Sequence, residues 1–390
     1  MRKILLYLNL GKIGFLEILF ALYPILAGYQ YGLLHIDMLT VLIMDMIAIS
    51  RPLREKKYMF KPLQICVLYA IVHELVLIPI VGLEHTALIK NTIQLIIIAG
   101  SIFIIAPKLN YQKFLHSLMW IALLSSLGIV YHFIELQLGH ICHPLKLPFM
   151  PDMSGKSRLY EEILRPTSFF WEPAAYVTFM MLPFFLQLQN RKYLSASILL
   201  FFILFSTSTN GIALGFLMLV IYVFTQNVEI YYKVIVTILG CFMLYFMLKS
   251  SLFEAGIEKM DSVSFENEVR IINGPNMVFG MNKEHWIFGF PKANFDDYVS
   301  ANPNLNVAIL NNGGIFLSTF WNIWAKYGII SLIIYLFSYF KMVLKCRELL
   351  PYVVVLFAAL FTQSIPYSNY FFLFQMTGML VFMRCFAARK

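Results

Sequence analysis

Apolar stretches of about twenty residues recur along almost the whole of this 390-residue sequence, and no other feature limits its fold so strongly. A helix needs about 20 predominantly apolar residues to cross the hydrocarbon layer of a bilayer. The pattern therefore predicts an all-α polytopic integral membrane protein, with about twelve transmembrane helices in a single domain, 1–390. The predicted spans are 13–30, 33–50, 62–82, 87–106, 114–138, 166–189, 193–208, 210–226, 231–249, 314–340, 349–365 and 370–386.

The composition supports a membrane environment. Hydrophobic residues make up 60% of the chain and charged residues only 13%, whereas soluble domains carry about 25% charged residues. So few charges could not cover a water-facing surface. The net charge of +9 would suggest nucleic acid in a soluble protein. Because basic residues also fix the orientation of membrane proteins, no nucleic-acid partner is expected.

Lysine and arginine indicate the orientation of the predicted bundle. They cluster at both termini and in the short connections RPLREKK (51–57), PKLNYQK (107–113) and KMVLKCRE (341–348). Because short loops rich in basic residues stay in the cytoplasm, both termini are predicted to be cytoplasmic. Two long segments, at about 139–165 and about 250–313, are then exported, and loops of this length usually have a function.

The sequence favours neither a disulfide framework nor a metal site. Its five cysteines are scattered, and only Cys142 falls in a predicted exported loop. GHICHP (139–144) contains metal-binding residue types, but no paired cysteine or carboxylate set completes a site, so loop histidines are favoured. No metal and no cofactor is therefore expected. The sequence also lacks Walker, dinucleotide-binding, HExxH and GxSxG motifs.

The stretch RPTSFFWEPAAY (165–176) places an arginine and a glutamate seven residues apart in an apolar segment. If Pro166 occupies the first turn of the sixth predicted helix, Arg165 and Glu172 lie on one face, roughly 10 Å apart along the axis. Pro173 is then expected to kink the helix beside the glutamate. A carboxylate about two turns inside hydrocarbon is a functional candidate by default, and it would suit a general base or acid.

Arg270 is the second exported arginine that the sequence singles out. An apolar, turn-rich stretch follows it and is expected to fold back onto the membrane face. Arginine can grip phosphate through two parallel hydrogen bonds, so Arg165 and Arg270 together could clamp a pyrophosphate. Two plainer interpretations stay open. Arg165 could extend to lipid headgroups, and Arg270 could pair with Glu266 or Glu268.

Three stretches, in this order, resemble the O-antigen polymerase and O-antigen ligase superfamily of membrane glycosyltransferases. RPTSFFWEPAAY resembles the family's arginine-then-EP entry to a central span, and LLFFILFSTSTNGIALGF resembles the following pair of spans. Arg270 with NKEHWIFGFPKANF, followed by NNGGIFLSTFWNIWAKYGIISL, resembles the large exported loop and the entry to the tenth span. The resemblance covers most of the chain.

The resemblance implies a metal-independent reaction at the outer face of the bacterial cytoplasmic (inner) membrane. A glycan on undecaprenyl pyrophosphate is transferred to a hydroxyl group of another lipid-linked repeat unit, which lengthens an O-antigen or capsule polysaccharide. The implied partners are an undecaprenyl-pyrophosphate-linked oligosaccharide, membrane lipid and a chain-length regulator protein.

The same resemblance assigns roles to individual residues. Arg165 and Arg270 match the family's phosphate-facing arginines, and Glu172 matches the acid of the EP motif, so these are the expected catalytic residues. The expected substrate-binding residues are Arg158, Asn210, Lys283, His285, Asn311 and Asn312. Many members, ligases above all, carry a histidine where this chain reads NNGG (311–314). This difference disfavours a ligase and leaves the general base open between Glu172 and a loop residue such as His285.

Two other functions stay open. An O-antigen ligase-type transferase would share the fold and the leaving group but use a different acceptor. A transporter or flippase for a lipid-linked glycan should carry its charged residues near the midplane of the membrane. In this sequence the charged residues concentrate on the predicted exported side, which favours the enzyme.

Changing Arg270 to alanine separates these functions in cells. If Arg270 stabilises the departing pyrophosphate, long polymer should disappear and single lipid-linked repeat units should accumulate on the outer face. Extraction and electrophoresis of the lipid-linked sugars measures both. Accumulation on the inner face would instead identify a translocation defect and contradict the enzymatic interpretation.

Overall fold

The structure, a computed structural model, is built almost entirely of α-helices. It describes residues 13–31, 34–52, 60–81, 86–140, 143–150, 165–227, 229–249, 265–290, 295–307 and 315–387. In these ranges the one departure from helices, turns and coil is a two-residue antiparallel ladder between β1 (Gln30–Tyr31) and β2 (Leu34–His35). The all-α prediction is confirmed.

Every predicted span overlaps one of the described helices. In chain order the α-helices are α1 (Phe15–Leu26), α2 (Ile36–Ser50), α3 (Lys61–Val81), α4 (Thr86–Ile105), α5 (Tyr111–Gln137), α6 (Pro173–Gln189), α7 (Tyr193–Phe205), α8 (Thr209–Thr225), α9 (Ile230–Lys249), α10 (Phe265–Gly280), α11 (Lys283–Phe288), α12 (Phe295–Ala301), α13 (Thr319–Lys345), α14 (Leu350–Thr362) and α15 (Tyr370–Ala387). Two short 3₁₀ turns lie at Pro303–Leu305 and Arg347–Leu349.

Two of the described helices, α5 and α13, are long and apolar enough to cross a membrane. Each has 27 residues. Shorter apolar helical stretches of 10–17 residues occur in α1, α4, α7, α8, α9 and α15. These findings are compatible with a membrane protein, and the number of about twelve spans remains a prediction.

One end of the bundle is held by buried ionic contacts, and we call it the Arg384 end. Arg51, which follows α2, makes a bidentate salt bridge with Glu17 near the start of α1, with N–O distances of 2.8 and 3.2 Å. Glu17 is fully buried and also accepts a hydrogen bond from the backbone N–H of Asn110 at 2.9 Å. The carboxylate thereby joins α1 to the connections after α2 and before α5.

Arg384 itself closes the same end from the last helix. Its guanidinium donates hydrogen bonds to the carbonyl oxygens of Ala106, Pro107 and Leu109 in the connection between α4 and α5. Carbonyl groups at the end of a helix have no partner within the helix. Arg384 therefore satisfies backbone acceptors that would otherwise be left without one.

The opposite end, which we call the Glu172 end, is rich in aromatic side chains. The indole N–H of Trp171, just before α6, faces the hydroxyl of Tyr370 at the start of α15 at 3.5 Å. The ring of Tyr23 meets Tyr370 edge-on at 6.4 Å. The hydroxyl of Tyr29 accepts a hydrogen bond from the backbone N–H of Leu147 at 2.9 Å. Helices that start and end here are thus tied to the connections between them.

The sequence predicts two short spans, 193–208 and 210–226, that meet at STSTNG (206–211), and the structure has a break between helices there. Helix α7 ends at Phe205, and α8 begins at Thr209 behind the N-cap residue Ser208, whose hydroxyl accepts a hydrogen bond from the N–H of Gly211. Thr207 between them is buried and has a φ of 53°. This left-handed conformation is unusual for a β-branched residue, so the tight turn between the two helices carries local strain.

The segment predicted as a long exported loop, about 250–313, is helical over much of its described length. It contains α10, α11 and α12. The turn signal NGPNM lies inside α10, with Pro275 within the helix. Met277 and Val278 are fully buried, and this burial explains why the helix forms despite its turn-favouring residues. The pattern of SLFEAGIEKMDS (251–262) predicts a short amphipathic helix, and this stretch lies outside the described residues.

Helix α13 is interrupted at Gly328, where φ is 78° and ψ is 172°. Residues 283–290, which we call the docked segment, pack into this break. The N–H of Phe290 donates to the carbonyl oxygen of Ala325 at 2.8 Å, and the indole N–H of Trp324 donates to the carbonyl of Trp286 at 3.2 Å. The segment after α10 is therefore attached to α13 through backbone groups.

The described cysteines are free thiols, namely Cys66, Cys241, Cys346 and Cys385. Cys142, the cysteine of the first predicted exported loop, lies outside the described residues. Burial, together with the nearby carboxylate of Glu348, raises the pKa of Cys346 to about 12. This thiol at the Arg384 end therefore stays protonated and unreactive at neutral pH.

Replacing Gly328 with alanine tests the contact between the docked segment and α13. A Cβ atom there would overlap the carbonyl oxygen of Ile287, and the backbone conformation of Gly328, which essentially only glycine adopts, costs another residue about 1–3 kcal/mol. We expect a destabilisation of at least about 2 kcal/mol in thermal unfolding of the purified protein. Gly100→Ala is the control, because nothing lies within 4 Å of its added Cβ. A Gly328 variant as stable as this control would contradict the described contact.

Candidate functional site

The segment before α6 is not helical, which corrects the geometry expected from its sequence. Helix α6 begins at Pro173, and Glu172 is its N-cap residue with an extended backbone (φ −153°, ψ 157°). Pro166 is therefore not in a helix, Arg165 and Glu172 do not share a helical face, and Pro173 starts the helix instead of kinking it. The physical reason is that proline favours the first helical position and holds the preceding residue in an extended conformation.

This segment is fixed by a histidine of α5. The Nδ1 atom of buried His132 accepts hydrogen bonds from the backbone N–H groups of Thr167 (3.2 Å) and Ser168 (3.1 Å). Nδ1 therefore carries no proton. The hydroxyl of Ser168 donates to the carbonyl of Ser125 at 2.7 Å, and the carbonyl of Ser168 accepts from the N–H of Leu145 at 2.8 Å. These bonds set the start of α6 against α5.

Glu172 lies partly exposed at the end of the bundle, next to partly exposed Trp171. The hydroxyl of Tyr370 interacts electrostatically with the carboxylates of both Glu172 and Asp37. The carboxylate of Glu172 therefore lies at a surface that a substrate can reach, and it could accept a proton there. The rings beside it could pack against a sugar.

Asp37 is the second carboxylate near Tyr370, and the sequence did not single it out. Its buried side chain accepts hydrogen bonds from the N–H of Met38 (2.7 Å) and the amide of Gln94 (3.4 Å). The Nδ1 atom of His35 lies 4.0 Å from the same carboxylate. An acid two residues after a histidine, at the start of an apolar span, was the available sequence signal.

A group of polar side chains, which we call the polar junction, connects α6, α13 and the residue after α14. It consists of Thr178, Ser318, Thr319, Asn322 and Gln363. Thr178 donates to the side-chain oxygen of Gln363 at 2.6 Å, and the carbonyl of Gln363 accepts from both the N–H and the hydroxyl of Thr319 at 2.6 Å. Ser318, Thr319 and Asn322 are at most 2% exposed. So many buried polar groups in an apolar bundle mark a functional candidate.

Three of the predicted substrate-binding residues can be located in the structure. Asn210 lies partly exposed in the first turn of α8, and Lys283 is exposed at the start of α11. His285 packs its ring against Phe290 (4.7 Å) and Tyr298 (6.0 Å). The described contacts of these residues do not connect them to Glu172, and the packing of His285 is that of an ordinary stacked histidine.

The binding of a pyrophosphate between Arg165 and Arg270 stays a prediction. Arg165 is partly buried in the segment before α6. Arg270 belongs to α10, but its side chain lies outside the part of the structure that is described. Arg158, Asn311 and Asn312 also lie outside the described residues.

A buried ion pair joins α3 to α13 at the interruption of α13. The ammonium group of Lys326 contacts the carboxylate of Glu74, and their side chains are 4% and 0% exposed. Thr92 faces the other carboxylate oxygen at 3.5 Å. His73, the neighbour of Glu74, contacts the carbonyl oxygen of Phe288 in the docked segment. The position of Lys326 in the apolar stretch WNIWAKYGII predicts that it either snorkels to the headgroups or neutralises an acid, and the structure shows the second.

The sequence also places Asp45, Glu17 and Glu135 in or near predicted spans, where they could form a proton relay or pair across helices. Ser101 donates to Asp45, and His140 pairs with Glu135 at 2.6 Å. These contacts favour structural roles over a proton relay. Among the residues that the structure describes, no group of three or more His, Cys, Asp or Glu is arranged to hold a metal ion.

Comparison with known proteins leaves the family of this chain undetermined. No model of a known protein family matches it, and no curated protein matches it either. The resemblance to the O-antigen polymerase and ligase superfamily therefore remains a prediction from the sequence.

The buried ion pair predicts a specific pattern of stability. Lys326→Met leaves Glu74 buried without its cation, and Glu74→Gln leaves Lys326 without its anion, so each should destabilise the protein by about 3–5 kcal/mol. The double variant should lose less than the sum of the two, because neither charge is then unpaired. Thermal unfolding of all four proteins completes the cycle. Additive losses would show that the two side chains do not interact.

Proposed function

We propose that this protein is a bacterial membrane polysaccharide polymerase. It transfers an O-antigen or capsule repeat unit from undecaprenyl pyrophosphate to a hydroxyl group of another lipid-linked repeat unit. The observation that carries the proposal is the position of Glu172. It stands at the N-cap of α6, partly exposed at an aromatic end of an otherwise apolar helical bundle.

The proposed reaction needs a proton acceptor and a way to stabilise the leaving group. The bond between the anomeric carbon and the pyrophosphate oxygen breaks, and the acceptor oxygen forms a bond to the same carbon. Glu172 takes the proton of the acceptor hydroxyl. Undecaprenyl pyrophosphate leaves with the electron pair, and Arg165 and Arg270 stabilise its charge in this proposal. The rings of Trp171 and Tyr370 flank the sugar.

The proposed arrangement places about twelve helices across the cytoplasmic membrane. The Arg384 end faces the cytoplasm and the Glu172 end faces outward. Basic Arg51 and Arg384 lie at the first end, as expected for cytoplasmic connections. Trp171 and Tyr370 at the second end suit a membrane–water interface. Both termini are then cytoplasmic, and the catalytic carboxylate meets substrates on the outer face.

A transporter for a lipid-linked glycan is the second candidate, and the interrupted helix α13 favours it. Transporters commonly use discontinuous helices and intramembrane charges at their binding sites, and Lys326 pairs with Glu74 beside such an interruption. However, the two charges of this pair already match each other, which leaves little capacity for a ligand. The docked segment also packs against the pair. We therefore rank transport below polymerisation.

Purified protein with synthetic undecaprenyl-pyrophosphate repeat units tests the proposal. The wild-type protein should produce a ladder of polymers on a gel, whereas a ligase would need a different acceptor. Glu172→Gln should lower the rate at least about 100-fold, because a general base typically contributes 10²–10⁴-fold.

Glu135→Gln is the matched control, because Glu135 is a partly exposed acid near the end of α5, paired with His140. It should leave the ladder unchanged. A Glu172→Gln protein that polymerises at the wild-type rate would remove Glu172 from the mechanism. A wild-type protein that makes no ladder but moves the lipid-linked unit across proteoliposomes would favour the transporter.

A further inference from the structure

We propose that the polar junction binds a phosphoryl group of the lipid-linked diphosphate through neutral hydrogen-bond donors at the start of α13. The proposal rests on the proposed function, because it locates part of the leaving-group site. It also adds a feature that the arginine clamp does not contain. The donors are a hydroxyl, two side-chain amides and backbone N–H groups, none of which titrates near neutral pH.

The first observation concerns Ser318, the N-cap residue of α13. Serine at this position usually accepts a hydrogen bond from an N–H of the first turn. The hydroxyl of Ser318 makes no such cap bond and, within the described part of the chain, has no hydrogen-bond partner although it is fully buried. A buried hydroxyl without a partner is energetically unfavourable, because it has lost its hydrogen bonds to water. The site is therefore incomplete without another group.

The second observation concerns the backbone of the same turn. The N–H of Thr319 donates to Gln363, and the N–H of Asn322 makes the first bond of the helix to Ser318. The N–H groups of Phe320 and Trp321 between them have no acceptor among the described residues. Such N–H groups and the helix dipole favour an anion at a helix start.

The third observation comes from two buried amides. The Oδ1 atom of Asn322, which is 2% exposed, and the Nε2 atom of Gln363 are both buried without a hydrogen-bond partner in the described residues. The side chain of Asn322 leans toward the start of its helix, as side chains in helices do. Its amide can present either the oxygen or the nitrogen there. Thr178 holds the Gln363 oxygen at 2.6 Å, which leaves the nitrogen as the available donor.

These donors fit a phosphoryl group better than water alone. A buried water makes about three hydrogen bonds, whereas the junction offers the Ser318 hydroxyl, the Gln363 amide, the Phe320 and Trp321 N–H groups and the Asn322 amide. Phosphoryl oxygens accept several hydrogen bonds each. Phe320, Trp321 and Gln363 are partly exposed, which places the junction beside the surface. Thr178 belongs to the helix that Glu172 caps, which relates the site to the proposed base.

Binding to the purified full-length protein tests the site with three probes: undecaprenyl pyrophosphate, undecaprenol and inorganic pyrophosphate. Ser318→Ala and Gln363→Leu should each weaken binding of undecaprenyl pyrophosphate about tenfold or more. They should leave binding of undecaprenol, which lacks phosphate, unchanged. If inorganic pyrophosphate displaces undecaprenyl pyrophosphate from the wild-type protein but not from Ser318→Ala, the phosphoryl group alone is recognised. Competition by the lipid form only would show that the tail is also required.

Ser338→Ala is the control, because Ser338 is a buried serine of the same helix whose hydroxyl bonds to Tyr335 at 2.7 Å. Ser318→Thr keeps the hydroxyl and should keep the affinity. Thermal unfolding of each variant separates lost binding from lost folding. Wild-type affinity in both Ser318→Ala and Gln363→Leu would show that the junction holds water only, and would overturn the proposal.

The two proposals fail in different ways. If the wild-type protein makes a polymer ladder and Ser318→Ala binds undecaprenyl pyrophosphate as tightly as wild type, the polymerase stands and the phosphoryl site falls. If Ser318→Ala loses binding but the wild-type protein makes no ladder, the phosphoryl site stands and the polymerase falls.

Discussion

The hydrogen bonds from the backbone of Thr167 and Ser168 to His132 are the contacts on which the candidate site depends. They hold the segment before α6 against α5 in a non-helical form. The helix begins at Pro173, which also keeps the preceding Glu172 extended. Glu172 is consequently an N-cap residue at the end of the bundle instead of a residue within a helix.

Two kinds of buried polar group in the described part of the chain differ in their capacity to bind a ligand. Glu17 with Arg51, and Glu74 with Lys326, are charges that already have a partner of opposite sign. Such pairs hold helices in register and have little capacity left for a ligand. The polar junction differs, because donors at Ser318 and elsewhere lack partners among the described residues. A substrate can therefore gain hydrogen bonds from the donors of the polar junction.

The sequence predicted helices well and long-range contacts poorly. Apolar runs located the helices, and the serines and threonines of STSTNG located the break between α7 and α8, because both signals are local. Pro166 and Pro173 could each begin a helix, and the choice depends on His132, which lies more than thirty residues earlier. The polar junction was missed for the same reason, since Thr178 and Gln363 are 185 residues apart. The turn-favouring residues NGPNM in α10 led to a wrong prediction, because the burial of side chains in this helix outweighed their preference for a turn.

Helix α7 has consequences for the surrounding lipid if the bundle spans a bilayer as proposed. Its 13 residues extend about 20 Å, which is about 10 Å less than a typical hydrocarbon layer. Exposed Leu194 and Phe201 on this helix would contact acyl chains. Lipid beside α7 would then have to become thinner to avoid the mismatch. A polyprenyl carrier that enters this thin region would already have its headgroup lowered toward the start of α8.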